Sequence, residues 1–293
     1  MYAMKHHVRA VAASVLFVLA APAAEAADLR WAGCGGWAPG LAEDLADAYT
    51  AQSGLTVSLE GGSSTTGIRD VAAGNAEVGC SARHKISDPA ERGAKLVTIG
   101  WESLVVIAHP SNPVSRISRS DLQAVLEGKI TRWNALGGPD LPIEVVVRAD
   151  SESGVGLLLR SILFADAEHI FAGGFAEKPD SAAVEAEVER NPAALAVTLG
   201  GRVAGRQVKA LSLGTAVPGY DAVASGEYPL VIPLYIVVPK RAEDNVMGLV
   251  KLAKSGAGQQ IVRSKGVVTM KDGKDLFARY QKSIAEARKN ANE

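Results

Sequence analysis

The sequence lacks an excess of charge of either sign. Its 293 residues include 31 Lys and Arg against 32 Asp and Glu, which gives a formal net charge of −1 at pH 7. A protein that binds nucleic acid or an anionic membrane surface needs clustered basic charge. The balance therefore predicts that neither is a partner of this chain.

Long apolar runs are also missing after the first 26 residues, where no stretch approaches the roughly 20 apolar residues that a membrane-spanning helix needs. Near the start, Lys5 and Arg9 precede an apolar run over residues 11–21, and Ala24 and Ala26 are the small residues that a signal peptidase prefers. We expect residues 1–26 to be a signal peptide that is cleaved after Ala26. The remaining protein is then expected to be soluble and periplasmic.

Sequence motifs of enzymes are absent as well. The chain has no phosphate loop ending in Gly-Lys-Ser/Thr, no His-Glu-x-x-His, no Gly-x-Ser-x-Gly and no pair of histidines at metal-ligand spacing. After residue 26 the histidines are His84, His109 and His169, which are far apart in the sequence. We therefore expect no catalytic activity, no cofactor and no metal.

What the chain does have is the composition of a folded protein, 47% hydrophobic and 22% charged. Short apolar runs alternate with helical patterns, which is typical of an α/β protein whose parallel sheet is covered by helices. The pattern predicts strands at 29–32, 55–59, 76–83, 104–108, 142–148 and 231–238, helices at 41–49, 68–72, 118–126, 157–163, 246–253 and 259–263, and a solvated tail at 282–293.

Three of the predicted strands run into loops of Gly, Ser and Thr that open a helix, at residues 35–41, 63–68 and 153–157. A helix N-terminus carries unpaired N–H groups and a partial positive charge, so each loop is a potential oxyanion site, although Ser and Thr are also ordinary helix caps. Arg148 ends the strand before the third loop, and Asp150 lies two residues on. A guanidinium there would bind an oxyanion bidentately, with Asp150 balancing its charge, and the alternative is a plain surface ion pair.

The order of these motifs resembles the periplasmic phosphate-binding proteins that serve ABC transporters, over nearly all of the chain after residue 26. The segments that carry the resemblance are residues 60–68 (EGGSSTTGI), 79–83 (GCSAR), 126–133 (LEGKITRW), 145–154 (VVVRADSESG), 191–197 (NPAALAV), 226–235 (GEYPLVIPLY) and 258–262 (GQQIV).

The resemblance implies a two-lobed periplasmic-binding-protein fold with interleaved domains joined by crossing strands. We expect one lobe to comprise residues 27–107 and 233–293 and the other residues 108–232. The family closes these lobes on an oxyanion that backbone N–H groups, hydroxyls and one arginine hold. The positions that match its ligand residues are Gly35, Gly36, Trp37, Ser64, Thr65, Ser81, Arg148, Asp150, Ser153 and Gly154.

Two departures from the family pattern bear on the ligand. Ala82 stands where the family usually has an aspartate, which accepts the hydrogen of a protonated phosphate and repels a fully ionised anion. The loop at residues 150–153 is one residue longer than usual and carries Glu152, an acid that would oppose an anion if it faced the cleft. Both put selectivity for phosphate in question.

The two cysteines, Cys34 and Cys80, lie in loops that the resemblance places side by side at the cleft mouth. Three interpretations are open: a disulfide that joins the loops, two buried free thiols, or a thiol pair that binds a thiophilic metal or metalloid ligand.

The sequence thus predicts a monomeric solute-binding protein that captures a small oxyanion, phosphate or a phosphate-like ligand, and delivers it to the membrane permease of an ABC transporter. The alternative is a sensory or accessory receptor, which would pass occupancy by a different, possibly thiophilic ligand to a signalling partner.

Overall fold

The computed structural model of the protein describes residues 27–290. Its strands, in chain order, are β1 (Leu29–Ala32), β2 (Val57–Leu59), β3 (Val78–Ser81), β4 (Ala94–Ala108), β5 (Arg116–Ile117), β6 (Glu144–Arg148), β7 (Ala176–Lys178), β8 (Ala194–Leu199), β9 (Lys209–Ala210), β10 (Ser212–Leu213), β11 (Val231–Pro239) and β12 (Val268–Thr269). Its α-helices are α1 (Leu41–Ser53), α2 (Ser64–Ala73), α3 (Arg119–Leu126), α4 (Gly154–Phe164), α5 (Ser181–Arg190), α6 (Tyr220–Ser225), α7 (Asp244–Lys254), α8 (Gly256–Ser264) and α9 (Leu276–Asn290).

One long strand, β4, joins two sheets into the order β2-β1-β3-β11-β4-β8-β6-β7, with β9 and β12 also paired to β4. The first part of β4, up to Ser103, pairs with β11, and its last part, from Leu104, pairs with β8. We call the part built on β1, β2, β3 and β11 the first lobe and the part built on β6, β7 and β8 the second lobe. The predicted α/β, two-lobed, interleaved fold class is confirmed.

Strand β4 can connect the lobes because it is apolar and covered along most of its length. Ile99 and the residues from Leu104 to Ala108 are at most 1% exposed. A strand buried on both faces is typically a continuous apolar run without alternation. Glu102 and Ser103, buried at the point where the pairing of β4 changes from one lobe to the other, are polar exceptions.

Within each lobe the short strands are parallel, so their carboxyl ends and the following loops lie at one edge of the sheet. This holds for β1 with β2 and β3, and for β6 with β7 and β8. Helix α2 then packs directly on β3, and the backbones approach closely because both contact residues are glycines. A Cβ built on Gly79 would lie 2.1 Å from the carbonyl oxygen of Gly67.

Residues 282–290 of the predicted solvated tail belong to α9, and Lys282 and Ala285 on this part of the helix are exposed. Leu276 and Tyr280, four residues apart, are 2% and 7% exposed, and α9 packs against α4 and β11. An amphipathic start of this kind anchors the helix, and the charged residues after it continue the same helix. Residues 291–293 lie outside the described part of the chain.

Two further sequence-based predictions remain as they were. The predicted signal peptide, residues 1–26, lies outside the described residues, and the lobe boundaries at 107/108 and 232/233 stay a prediction.

The elements from β7 to α6 fall in a stretch where the sequence pattern predicted no helix or strand. Within residues 27–290, every helix is too short or too polar to cross a bilayer.

A disulfide joins Cys34, in a short 3₁₀ turn after β1, to Cys80 in β3, with their Cα atoms 4.9 Å apart. Of the three interpretations open from the sequence, the structure has the disulfide. The bond closes a loop of sequence separation 46, which contains α1, β2 and α2.

Removing this bond should destabilise the protein. For a loop of this length, the loss of chain entropy in the unfolded state corresponds to about 4 kcal/mol. We expect the Cys34→Ala/Cys80→Ala variant to lose about 2–4 kcal/mol of unfolding free energy in urea titrations. Dithiothreitol should lower the stability of the parent protein and leave the variant unchanged. Equal stability of parent and variant would contradict the bond.

Candidate functional site

The candidate site lies where the loops of the two lobes meet. The first lobe supplies the loops after β1, β2 and β3, and the second lobe supplies the loops after β6 and β8. Ligands of α/β proteins normally bind at this edge, outside the carboxyl ends of the parallel strands. We refer to the surface along which the two sets of loops touch as the seam.

The first-lobe side of the seam is a tight stack of small residues. Gly35, in the 3₁₀ turn after β1, packs against the loop before α2, and a Cβ built on it would come within 2.9 Å of the carbonyl oxygen of Gly62. Gly36 ends the 3₁₀ turn that starts at Cys34. The Trp37 side chain is 2% exposed and packs edge-on against Trp31, with the ring centroids 5.9 Å apart. Its backbone carbonyl is what reaches the seam.

Two of the three predicted helix starts face each other across the seam. Ser63 caps α2, and Ser153 caps α4 by accepting a hydrogen bond from the N–H of Gly156. A Cβ built on Gly154 would lie 2.7 Å from Ser64 Oγ and 2.9 Å from the Ala82 side chain, so only glycine lets the two helix starts come this close. The start of α1 is elsewhere, since Gly40 lies beside the ammonium group of Lys265.

The predicted hydroxyl groups hold these loops together. Ser64 Oγ accepts a hydrogen bond of 2.9 Å from the Ala82 N–H. Thr65 Oγ1 donates across the seam to the carbonyl oxygen of Glu152, at 3.1 Å. Ser81 Oγ donates to the Arg83 carbonyl within its own loop, at 2.8 Å. In this closed arrangement all three hydroxyls are bonded to protein.

Asp150, predicted to balance the charge of Arg148, does not contact its guanidinium directly. Among residues 27–290 no ion pair joins them: Arg148 donates to Ser181 Oγ at 3.1 Å, and Asp150 accepts the Glu152 N–H at 3.0 Å. The Arg148 side chain points to α5, the helix that Val146, two residues earlier in β6, also faces, whereas Asp150 shapes its own loop. Burial lowers the pKa of the Arg148 guanidinium, and the carboxylates of Asp150 and Asp180 oppose that effect.

Arg148 also retains an unused donor, because its buried Nε has no hydrogen-bond partner. The residue lines a cavity of about 620 Å³ in the second lobe, beside the seam. It is the one predicted site residue among those that line this cavity.

Glu152, the acid that would oppose an anion if its carboxylate were free in the cleft, is bonded across the seam. Its carboxylate forms an ion pair of 2.6 Å with Arg69 on α2, and Arg69 also pairs with Asp88 at 2.8 Å. The extra residue in this loop thus ties the start of α4 to the first lobe.

The side chain of Arg83, which was not among the predicted site residues, reaches across the seam. Its guanidinium is fully buried and paired with buried Glu91, at 2.7 Å. Its Nε donates to the carbonyl oxygen of Glu152 in the other lobe, at 2.8 Å. A sequence signal was present, since Arg83 lies two residues after the end of a buried strand.

Arg202, also not selected, makes the reciprocal connection. It comes from a short turn after β8 and is paired with buried Glu185, at 2.6 Å. Its Nη1 donates to the carbonyl oxygens of Gly35 and Trp37 in the first lobe, at 3.1 and 2.9 Å. The sequence signal that could have identified Arg202 is of the same kind as at Arg148. An apolar strand pattern is followed by small residues and then by an arginine.

Two helix starts and four arginines lie along the seam, and three of these arginines are paired with carboxylates. The first turns of α2 and α4 bring the positive ends of two helix dipoles together. Arg69, Arg83, Arg148 and Arg202 surround them, and Arg148 has no carboxylate partner within ion-pair distance among the described residues. The arrangement can bind a small anion between two lobes, and this defines the class: a two-lobed solute-binding protein.

Comparison with known proteins gives the family. The sequence profile described as "PBP superfamily domain" matches residues 20–255, so the chain belongs to this superfamily. It is a family of solute-binding proteins rather than of enzymes.

Similar curated proteins and solved structures point to the same kind of protein. The chain is 26% identical over 205 residues to the phosphate-binding protein PstS of Borreliella burgdorferi, covering 67% of this chain and 73% of that one. It is 29% identical over 179 residues to PstS of Bacillus subtilis, covering 59% and 57%. A phosphate ABC transporter substrate-binding protein with bound phosphate from Clostridium perfringens has the same fold, with a TM-score of 0.76, 23% identity and coverage of 82% and 98%. An ABC-type phosphate transport receptor from Vibrio cholerae gives a TM-score of 0.66, 24% identity and coverage of 83% and 100%.

The buried Arg83–Glu91 pair should be essential to stability. Removing one member leaves the other charge buried and unpaired, which typically costs about 3–5 kcal/mol. We expect Arg83→Met to lose that much unfolding free energy in urea titrations. Arg92→Met, at a neighbouring exposed arginine, is the matched control and should change it by less than about 0.5 kcal/mol. Equal effects of the two substitutions would contradict the assigned role of Arg83.

Proposed function

We propose that the chain is exported, captures phosphate or a phosphate-like oxyanion in the seam, and delivers it to the membrane permease of an ABC transporter. The signal peptide would be cleaved after Ala26 on export, the lobes would be divided at 107/108 and 232/233, and the protein would act as a monomer without catalysis. The names of its relatives, phosphate-binding proteins and a phosphate transport receptor, favour transport over the sensory alternative.

The observation that carries this proposal is the meeting of two helix starts beside an arginine with an unused donor. Gly154 and Ser64 are the first residues of α4 and α2, and they are in contact. Backbone N–H groups at such starts bind phosphate-type oxyanions, and a guanidinium adds a charge-assisted contact. Arg148 Nε is the donor without a partner.

Ligand entry requires the lobes to separate. Three hydrogen-bonding groups of the first lobe, those of Thr65, Arg69 and Arg83, bind Glu152, and Arg202 binds the loop at Gly35 and Trp37. Hinge bending that breaks these contacts would expose Ser64, Thr65, Ser81, Ser153 and the helix starts to solvent. Closure on the anion would then replace hydration by these donors.

Loss of Arg148 should abolish most of the affinity. By calorimetry with inorganic phosphate, we expect Arg148→Ala to bind at least about 100-fold more weakly, because a charge-assisted contact in a desolvated site is lost. Arg148→Lys should recover little, because an ammonium lacks the planar fork. Arg119→Ala removes an arginine of α3 that donates to the Ile162 carbonyl, and should leave affinity unchanged. Unchanged affinity in Arg148→Ala would contradict the assignment of Arg148 to the binding site.

Ala82 should relax selectivity between phosphate and sulfate. An aspartate here would accept the proton of a phosphate and repel sulfate, whereas alanine does neither. We expect Ala82→Asp to raise the ratio of phosphate to sulfate affinity by about 5- to 150-fold, the equivalent of 1–3 kcal/mol.

Ala82→Asn, of equal size but neutral, is the control for steric effects against Gly154. Glu152→Gln should leave the selectivity ratio unchanged, because Arg69 holds that carboxylate away from the ligand. A parent protein that already rejects sulfate strongly, with Glu152→Gln equally selective, would show that the interpretation of Ala82 is wrong.

A further inference from the structure

A second cavity, of about 550 Å³, lies at the junction of the lobes and is separate from the seam residues described above. We call it the hinge cavity. It is lined where β4 passes from one lobe to the other, by Trp101, Glu102 and Ser103, and by Gly201, Tyr220 and Lys265 from later segments. Its volume falls in the range of small-molecule sites in proteins.

The hinge cavity contains a carboxylate without a cationic partner. Glu102 is 2% exposed, and no ion pair of residues 27–290 includes it. Its Oε1 accepts the N–H of Ser103 at 2.9 Å, and its Oε2 accepts the N–H of Gly201 at 3.0 Å. A carboxylate has about four acceptor positions, so these two bonds leave acceptor capacity on both oxygens.

Burying such a group is costly unless a charge compensates it. Burial raises the pKa of Glu102 to about 7, and the two amide donors counteract that rise. The carboxyl group is therefore poised between its neutral and charged forms near neutral pH.

Three other polar side chains that line the cavity, those of Lys265, Tyr220 and Ser264, are engaged elsewhere. The Lys265 ammonium pairs with Asp44 at 2.8 Å. The Tyr220 hydroxyl donates to Asp272 at 2.6 Å, and Ser264 Oγ donates to the Ile261 carbonyl at 2.8 Å. Of the residues that line the cavity, Glu102 is thus the one whose charge has no counter-ion.

The rest of the lining suits an organic group. Val105, Val203, Val223 and Val268 are apolar, and Trp101 and Tyr220 add aromatic surface, which attracts cations. We propose that the hinge cavity binds a small organic cation with an apolar body, a protonated primary amine, whose ammonium group donates to the carboxylate of Glu102.

Benzylammonium is a suitable probe, with benzyl alcohol as its neutral counterpart of similar shape. In calorimetry at pH 8 we expect benzylammonium to bind at least tenfold more tightly than benzyl alcohol. Between pH 8 and pH 6 the probe stays protonated while Glu102 takes up a proton, so the affinity should fall by about tenfold as the charged fraction of Glu102 falls. Of the other groups that face the cavity, Lys265 is paired with Asp44, and burial raises the pKa of the Tyr220 hydroxyl, which therefore stays protonated over this interval.

Two variants distinguish the contribution of the Glu102 charge from that of the open volume of the cavity. Glu102→Gln should abolish the preference for the cation and its pH dependence, whereas Glu43→Gln, at an exposed carboxylate of α1, should change neither. Ala210→Leu keeps Glu102 and fills part of the cavity, so it should weaken benzylammonium binding even if Glu102→Gln fails to fold. Phosphate titrations of the same samples report on the seam independently.

Equal binding of benzylammonium and benzyl alcohol, full binding by Glu102→Gln, a pH-independent affinity, or no binding at millimolar probe would each overturn the proposal.

Discussion

Two buried arginines, one from each lobe, hold the seam closed, and the geometry of the site depends on them. Arg83 of the first lobe is paired with Glu91 and donates to the Glu152 carbonyl of the second. Arg202 of the second lobe is paired with Glu185 and donates to carbonyls of the first. Each guanidinium has more donors than one carboxylate accepts, so the remaining donors satisfy backbone carbonyls that closure removes from water.

This constraint explains why the positive ends of α2 and α4 can meet. Helix starts that face each other repel unless negative groups lie between or beside them. Here the Glu152 carbonyl and carboxylate lie beside the seam, bonded to Thr65, Arg69 and Arg83. An oxyanion bound between the helix starts would supply negative charge at the same place, so ligand binding and lobe closure favour each other.

Sequence patterns were sufficient to locate the loops, because strand, small polar loop and helix follow one another locally. Ser63 and Ser153 do cap their helices, and the loops of Cys34 and Cys80 are adjacent. The partners of the charged residues were beyond such patterns. Arg202 bonds a loop about 165 residues away in the chain, and nothing in either segment encodes that contact locally.

Nearness in sequence was misleading at Arg148 and Asp150. A strand residue and a loop residue two positions later need not share a direction, and Asp150 bonds the N–H of Glu152 instead. At the charged end of the chain, the polar residues indicated a solvated segment but not its helical form. That helix is anchored by the burial of Leu276 and Tyr280 near its start.

The measurement that tests the account most directly is a crystal structure of the protein grown with saturating phosphate. The account predicts a phosphate in the seam, with oxygens within about 3.2 Å of the Arg148 guanidinium and of backbone N–H groups in the first turns of α2 and α4. Ordered phosphate bound elsewhere, or a closed seam without phosphate at saturation, would contradict it.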